Sequence, residues 1–377
     1  MSWRRIRAVA RKEFLHIRRD PRSLIMALAV PLVMLLLFGY ALSLDVDQIP
    51  TLVRDLDGTP ASRELVSRFT GSRYFRVLGR DASYAEIERA VDRDRALVGV
   101  VIPRGFARDL ERGREAQVQL LFDGSDSNTA SIALAYTDVL ANLYAAEWSA
   151  RAMSRRFGAA ARPASEPRIR VWYNSELKSR NYIVPGLMVV ILTIIAALLT
   201  SLTIAREWEN GSMEQLLSTP LRPGEIVLGK LAAYFTLGVV DTATAVLAGV
   251  FVFDVPLRGG LGPLAVTSCV FLVGALSWGV FLSAAARSQV LAFQMGILSS
   301  FLPAFLLSGF VYAIENMPLI VQQITRVFPA RYFVTAIKGI FLKGVGLEVV
   351  WFELGMLALY GALVFALASK KVGSKVA

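Results

Sequence analysis

Residues 206–220 read REWENGSMEQLLSTP and lie between two long apolar runs of the chain. The segment carries one arginine and three glutamates. A short charged segment between two membrane-spanning runs is typical of a surface that binds a protein outside the membrane. The apolar runs on either side therefore decide both the fold and the position of this segment.

The composition is that of a membrane protein. The chain has 377 residues, of which 55% are hydrophobic, and its mean hydropathy is +0.51, which is too apolar for an ordinary soluble protein. About 20 helical residues cross a hydrocarbon core of about 30 Å. Runs of sufficient length lie at approximately Leu24–Leu44, Ile183–Ala205, Ile226–Phe253, Leu261–Ala286, Val290–Tyr312 and Leu347–Ser369. The sequence therefore predicts a polytopic α-helical membrane protein with six transmembrane helices, the first at residues 23–44.

The charges beside these runs predict the orientation. Residues 1–22 are rich in arginine and contain only two acids, so the positive-inside rule places the N-terminus in the cytoplasm. An even number of spans returns the C-terminus to the same side, where Lys370, Lys371 and Lys375 agree with it. The first apolar run is longer than that of a cleaved signal peptide and is predicted to be a signal anchor.

The residues before the first span have the pattern of a basic amphipathic helix. Apolar side chains recur at three- and four-residue spacing with arginines between them, and Asp20-Pro21 ends the pattern. Such a helix is expected to lie along the inner membrane surface, as an anchor or as a mechanical element. The apolar positions are Trp3, Ile6, Val9, Ala10, Phe14 and Ile17.

Residues 45–181 are numerous enough for a folded domain, and the topology places them outside the cytoplasm. Strand and helix patterns alternate through the segment, which predicts an extracytoplasmic α/β domain without a catalytic constellation. Strands are predicted at Ile49–Val53, Phe75–Leu78, Ala96–Ile102 and Val118–Phe122. Helices are predicted at Pro60–Phe69, Tyr84–Asp92, Phe106–Glu111 and Ser127–Phe157, and Ala161–Pro167 is predicted to be a linker.

Several features argue against other functions. The net charge of +11 lies mostly beside the spans, where it suits anionic lipid rather than nucleic acid. Cys269 is the only cysteine, which excludes an internal disulfide and a cysteine metal cluster. Gly224–Lys230 has the glycine and lysine spacing of a phosphate-binding P-loop, but Leu231 replaces the required hydroxyl residue and no strand precedes it. We expect Lys230 to extend to the inner membrane interface instead.

Two further regions bear on function. Asp241 is an acid well inside a predicted span, where a carboxylate is costly. It is therefore a candidate pathway residue, with partnering by Thr242, Thr244 or a neighbouring helix as the structural alternative. Residues 315–346 are predicted to form short helices that dip into or lie on the outer leaflet.

Several of these segments, in their order and spacing over nearly the whole chain, resemble the ABC-2 type permeases of ATP-binding-cassette exporters, in particular the bacterial drug-efflux branch with a large external domain. Arg11-Lys12-Glu13-Phe14 and Arg18-Arg19-Asp20-Pro21 resemble the family's connecting helix, and residues 206–216 resemble its coupling helix. Residues 181–186 resemble its entry to the second span, residues 220–230 its exit into the third, and Ser308-Gly309-Phe310 with Glu315-Asn316-Met317-Pro318 its outer re-entrant region.

The resemblance implies a permease subunit without its own nucleotide site, in the bacterial inner membrane. Two permease chains, identical or paralogous, would pair with two separate ATPase subunits, which bind the ATP and magnesium, and would export drugs, lipids or other amphipathic compounds. It assigns a connecting helix, with Arg11, Glu13, Phe14, Arg18 and Arg19, and an ATPase-coupling segment, residues 206–220, with Glu207, Glu209, Gly211, Met213, Glu214, Leu216 and Leu217. In it the apolar side chains would fill a groove on the ATPase, the glutamates would pair with basic groups, and Asn210-Gly211 would permit a sharp turn.

Two other classes stay open on the residues alone. An ion-coupled secondary transporter would normally show inverted repeats and intramembrane charges, and only Asp241 comes close. A membrane-anchored sensor could carry an external domain but would not need six spans. A periplasmic adaptor and an outer-membrane channel remain open as further partners.

Overall fold

The computed structural model of the chain describes residues 1–42, 47–157, 172–174, 178–286 and 288–373. It divides into two units, one formed by Met1–Ser43 with Val171–Ala377 and the other by Leu44–Arg170. The predicted linker at 161–167 lies outside the described residues.

The secondary structure follows the chain in this order. The helices are α1 (Trp3–Arg19), α2 (Pro21–Ala41), α3 (Pro60–Gly71), α4 (Tyr84–Val91), α5 (Phe106–Glu111), α6 (Ser127–Phe157), α7 (Ser179–Glu209), α8 (Ser212–Leu217), α9 (Pro223–Phe251), α10 (Leu261–Ala286), α11 (Gln289–Leu306), α12 (Leu319–Thr325), α13 (Pro329–Lys338) and α14 (Trp351–Gly373). The strands are β1 (Ile49–Asp55), β2 (Phe75–Arg80), β3 (Val98–Ile102) and β4 (Gln119–Phe122). A 3₁₀ turn covers Ile314–Asn316, and a π-helical turn covers Gly339–Lys343.

Most of the predicted membrane helices form. Five helices in the described part of the chain are long and apolar enough to cross a membrane, namely α7, α9, α10, α11 and α14. The predicted first span forms α2, but its described apolar stretch is the shorter Ala27–Ala41. The protein is therefore a multi-pass helical protein, and the sixth span remains a prediction.

Helix α7 lies at the centre of the helical unit and packs against α2, α9, α10, α11 and α13. The approach of α10 depends on Gly279, because a Cβ atom there would lie 2.0 Å from the Thr200 hydroxyl. Thr200 Oγ1 uses this closeness to donate a hydrogen bond of 2.9 Å to the Leu276 carbonyl. Lipid is as apolar as the helix surfaces, so the burial of apolar side chains contributes little free energy to helix association in a membrane. Close packing at small residues and hydrogen bonds between helices contribute instead.

Residues 315–346 of the helical unit contain two unlike helices. Helix α13 is buried, with Phe333 at 0% and Ile337 at 1% exposure, and it packs against α7, α10 and α14. Helix α12 instead exposes large apolar side chains such as Leu319 and Ile320. Two short helices therefore form in the region predicted to contain them, and one belongs to the protein core.

The second unit is a four-stranded sheet with helices. The strand order is β2-β1-β3-β4, in which β1 is parallel to β2 and β3, and β4 is antiparallel to β3. The elements begin and end within three residues of those predicted, because local signals fix them. The Thr59 and Ser83 side chains, for example, cap α3 and α4 through reciprocal hydrogen bonds with Ser62 and Glu86. The Tyr144 hydroxyl on α6 donates to the Ala61 carbonyl at 3.1 Å.

Candidate functional site: a buried ion cluster beneath the connecting helix

A buried ion cluster joins α1, the C-terminal end of α7 and the first half of α9. The Lys230 side chain is 1% exposed, and its Nζ lies 2.9 Å from Glu13 Oε1 and 3.1 Å from Glu207 Oε2. The same Nζ also donates to the Thr203 carbonyl at 3.4 Å. Helices α1, α7 and α9, which are distant in sequence, therefore meet at the ammonium group of Lys230.

Lys12 extends the cluster toward the solvent. Its Nζ lies 2.6 Å from Glu207 Oε1 and 3.7 Å from Glu13 Oε1, and half of its side chain is exposed. Burial works against the charge of Lys12, but the hydrogen bond to Glu207 and the charges of Glu207 and Glu13 outweigh it and raise the pKa of Lys12. Two lysines and two glutamates therefore neutralise one another, as buried charges must.

The prediction for Lys230 is wrong. It does not extend to the membrane interface, because α1 packs directly on α9 and covers it. A Cβ atom at Gly229 would lie 2.5 Å from the Val9 Cβ, which shows how closely the two helices approach. Residues 224–230, the P-loop-like spacing, form the first turns of α9 rather than a loop.

The start of α1 has a second attachment. The Ser2 amide donates to Glu225 Oε1 at 2.6 Å, and Arg5 Nη1 lies 3.6 Å from Glu225 Oε2. Arg5 Nη1 also donates to the Pro220 carbonyl at 2.6 Å. The connecting helix is therefore fixed at its N-terminus and again at Glu13.

The coupling segment turns sharply where the sequence predicted it. Gly211 has a φ of +69°, a left-handed conformation that glycine adopts without strain, and α8 begins at the next residue. Just before the turn, Glu209 Oε1 accepts a 2.8 Å hydrogen bond from the Gln289 amide at the start of α11. Glu209 is thus engaged within the chain.

Two expectations for this segment need correction. Met213 is 1% exposed and belongs to the chain's own core, and Glu207 lies in the ion cluster, so neither side chain is offered to a partner. The reason is the turn at Gly211, which folds α8 back against the helical unit. Glu214 is exposed and Leu216 is half-buried, whereas the Leu217 side chain lies outside the described part of the structure.

The surface that α1 and α8 offer outward is a groove of 530 Å³ between them. Its walls include the basic side chains of Arg5 and Lys12 together with Gln215 and Leu216. We call it the α1–α8 groove. The other connecting-helix residues that the sequence singled out, Arg11, Phe14, Arg18 and Arg19, are exposed, whereas Glu13 is buried.

Asp241 is 2% exposed on α9, and neither carboxylate oxygen has a hydrogen-bond partner among the described residues. The proposed partnering by Thr242 or Thr244 does not occur, because their hydroxyls donate to the Gly238 and Val240 carbonyls of the same helix. Across the described ranges, no group of His, Cys, Asp and Glu side chains could hold a metal ion.

Sequence reasoning missed Lys12, Lys230 and Glu225 as structural charges. One signal for the cluster was available: Glu13 follows Ile6 and Val9 on the apolar face of α1, at helical spacing. A carboxylate on a buried face needs a cation, and Lys230, near the start of an apolar helix, is such a cation.

Comparison with known proteins identifies relatives over almost the full length. A family model described as ABC-2 family transporter protein matches residues 21–370. The chain is 36% identical over 347 residues to the probable multidrug ABC transporter permease YbhS of Escherichia coli K12, covering 91% of this chain and 90% of YbhS. It is 31% identical over 372 residues to YbhR of the same strain, also named a probable multidrug ABC transporter permease, covering 98% and 99%. It is 28% identical to the inner membrane transport permease YhhJ of that strain, covering 85% and 83%.

Proposed function

The chain belongs to the ABC-2 transporter family, and we propose that its buried ion cluster carries movement from separate ATPase subunits into the membrane helices. As a permease subunit of an ABC exporter it has no ATPase site of its own. ATP and Mg²⁺ would then bind to the partner subunits. The observation that carries the proposal is the contact of Lys230 with both Glu13 and Glu207.

The cluster suits force transmission because breaking it is costly. Removal of one partner from a buried ion pair typically costs about 3–5 kcal/mol. A push on α1 or α8 would therefore move α7 and α9 with it rather than separate them. Since α7 packs against α2, α8, α9, α10, α11 and α13, its displacement would reach most of the helical unit.

The α1–α8 groove is the proposed docking surface for the ATPase. Arg5 and Lys12 are about half-exposed in its walls, whereas their acidic partners Glu225 and Glu207 are buried. The exposed surface of the groove is therefore basic, and a matching partner would present acidic side chains there.

Leu216 supplies an apolar contact in the same groove, and a partner that covered it would remove its apolar surface from water. This assignment keeps residues 206–220 as the coupling segment but replaces Met213 with the residues that face outward.

The topology proposed from the charges is retained. The N- and C-termini would lie in the cytoplasm, with six spans and an external α/β domain at 45–181. The basic residues of α1 and the lysines at the end of α14 support this, and the name of YhhJ supports the inner membrane as the location. Residues 315–346 would lie at the outer leaflet.

The proposed substrates are drugs, lipids or other amphipathic compounds. A cavity of 380 Å³ within the helical unit supports this class. Its walls from α2, α7 and α9 are apolar, and His16, Asp20 and Arg206 lie at its polar part. The names of YbhS and YbhR agree with export of such compounds. Asp241 does not line this cavity, and its proposed pathway role is tested separately.

Two permease chains, identical or paralogous, would form the working pair. The exposed apolar faces of α11 and α14 are available for a second chain or for lipid. A periplasmic adaptor and an outer-membrane channel would complete an export path through both bacterial membranes.

Purification of a tagged chain from its host membranes tests the docking surface. Co-purifying Mg²⁺-dependent ATPase activity is expected for the wild type and for Ser218→Asp, an exposed position of the same segment that does not line the groove. Leu216→Asp should remove it. Gln215→Glu should reduce it while Gln215→Lys keeps it, because the groove is basic. Equal retention by all four variants would exclude the groove as the docking surface.

A further inference from the structure

A small internal cavity lies deep in the helical unit, away from the ion cluster. It has a volume of 110 Å³ and is enclosed by α7, α10, α11, α14 and the first turn of α13. Side chains that decide its chemistry are Thr193, Trp278, Ser300, Ala304, Phe328 and Tyr360.

The walls are largely apolar, and one fully buried hydroxyl in them has no partner. Ser300 is 4% exposed, and its Oγ has no hydrogen-bond partner among the described residues. Two neighbouring polar side chains are engaged: Thr193 Oγ1 donates to the Val189 carbonyl at 2.6 Å, and Trp278 Nε1 donates to Ser299 Oγ at 3.0 Å. In the part of the chain that the structure describes, no acidic or basic side chain lines the cavity.

These features select a ligand class. A dry apolar cavity of about 150 Å³ accepts benzene. This cavity is smaller, at 110 Å³, but it is not fully closed, so it suits one small ring or a branched alkyl group that extends partly into the opening. A charged ligand is excluded, since the walls offer no counter-charge. The aromatic faces of Trp278, Phe328 and Tyr360 favour a ring. Ser300 would satisfy one hydroxyl or carbonyl on it.

We propose that this cavity binds a neutral, lipophilic molecule through a single ring that carries a hydroxyl or carbonyl group, held by a hydrogen bond to Ser300. Because Phe328 and the first residues of α13, Pro329 and Ala330, form part of the wall, an occupant would also fill the space between the start of α13 and helices α7 and α11. The site lies within one chain and does not depend on the coupling role of the ion cluster.

The test uses 4-fluorophenol as the probe and the purified full-length chain in detergent, with binding followed by ¹⁹F NMR titration. Phenols have a pKa of about 10 and are neutral at pH 7. The wild type should bind in a saturable manner above the partitioning into detergent. Ser300→Ala should weaken this binding by about three- to tenfold, as expected for the loss of one hydrogen bond. Ala304→Leu, which fills the cavity, should abolish it.

Ser277→Ala is the matched control, because Ser277 is also buried on a membrane helix with an unpartnered hydroxyl among the described residues but does not line the cavity. Its affinity should equal that of the wild type. An absence of saturable binding in the wild type, as for a cavity that holds only water, would overturn the proposal. So would a wild-type affinity in either Ser300→Ala or Ala304→Leu. If Ala304→Leu does not fold, Ser300→Ala still tests the proposal, because it removes the hydroxyl without filling the cavity.

Discussion

Replacement of Lys230 by Met tests whether the ion cluster holds the connecting helix to the membrane helices. The change removes the ammonium group that lies within 3.1 Å of both Glu13 and Glu207, while the unbranched methionine side chain still fills part of the space. The cluster then changes from two lysines and two glutamates, net zero, to one lysine and two glutamates, net −1. Lys12 stays 2.6 Å from Glu207 but 3.7 Å from Glu13, so Glu13 is left with the weaker partner.

The expected cost follows from the burial of these groups. An uncompensated charge left behind by a broken buried pair costs about 3–5 kcal/mol. Glu13→Gln in the Lys230→Met background restores a net charge of zero, because the remaining Lys12 and Glu207 neutralise each other. The double variant should therefore be more stable than the sum of the single changes predicts, by about 0.5–3 kcal/mol for residues in direct contact.

The measurement is the free energy of unfolding in detergent, followed by tryptophan fluorescence for both single variants and the double variant. Transport and co-purifying ATPase activity are measured on the same preparations. Coupling predicts that the double variant retains the ATPase but transports poorly, since Lys230 no longer joins α9 to Glu13 of α1 and Glu207 of α7, and only the Lys12–Glu207 pair of the cluster remains. The reasoning from burial would be refuted if Lys230→Met lowered the free energy of unfolding by less than about 1 kcal/mol. It would also be refuted if the effects of the two single changes on this free energy were additive in the double variant.

Three further predictions address topology, packing and the buried acid. With Cys269→Ser, an impermeant thiol reagent applied to whole cells should label Ser125→Cys but not Ser218→Cys, and the reverse would overturn the proposed orientation. Met213→Ala should destabilise the isolated chain by about 2–5 kcal/mol, because its side chain is 1% exposed in the core, whereas a side chain that faced only a partner would leave unfolding unchanged. Asp241→Asn should alter transport while insertion remains normal, and wild-type transport in that variant and in Asp241→Leu would remove the residue from the pathway.

The sequence alone determined the secondary structure and much of the architecture of this protein. The apolar runs predicted six transmembrane helices, and five helices long and apolar enough to cross a membrane form in the described part of the chain. The amphipathic pattern of residues 3–17 predicted α1. The elements of residues 49–157 were predicted within three residues of their ends. These features depend on short-range periodicity, caps and turns, so neighbouring residues suffice to fix them.

Only the tertiary structure decided how these elements meet. Glu13 and Lys230 are 217 positions apart, and the sequence does not show that α1 covers this face of α9. The burial of Met213 depends on the direction in which α8 leaves the turn at Gly211, and the burial of α13 depends on three helices around it. Periodicity reports that a side chain prefers an apolar or a polar surrounding, but long-range packing selects which surface provides it. For that reason the sequence predicted residues 206–220 as one candidate coupling segment, whereas the fold decided which of its residues face the protein's own core and which face outward.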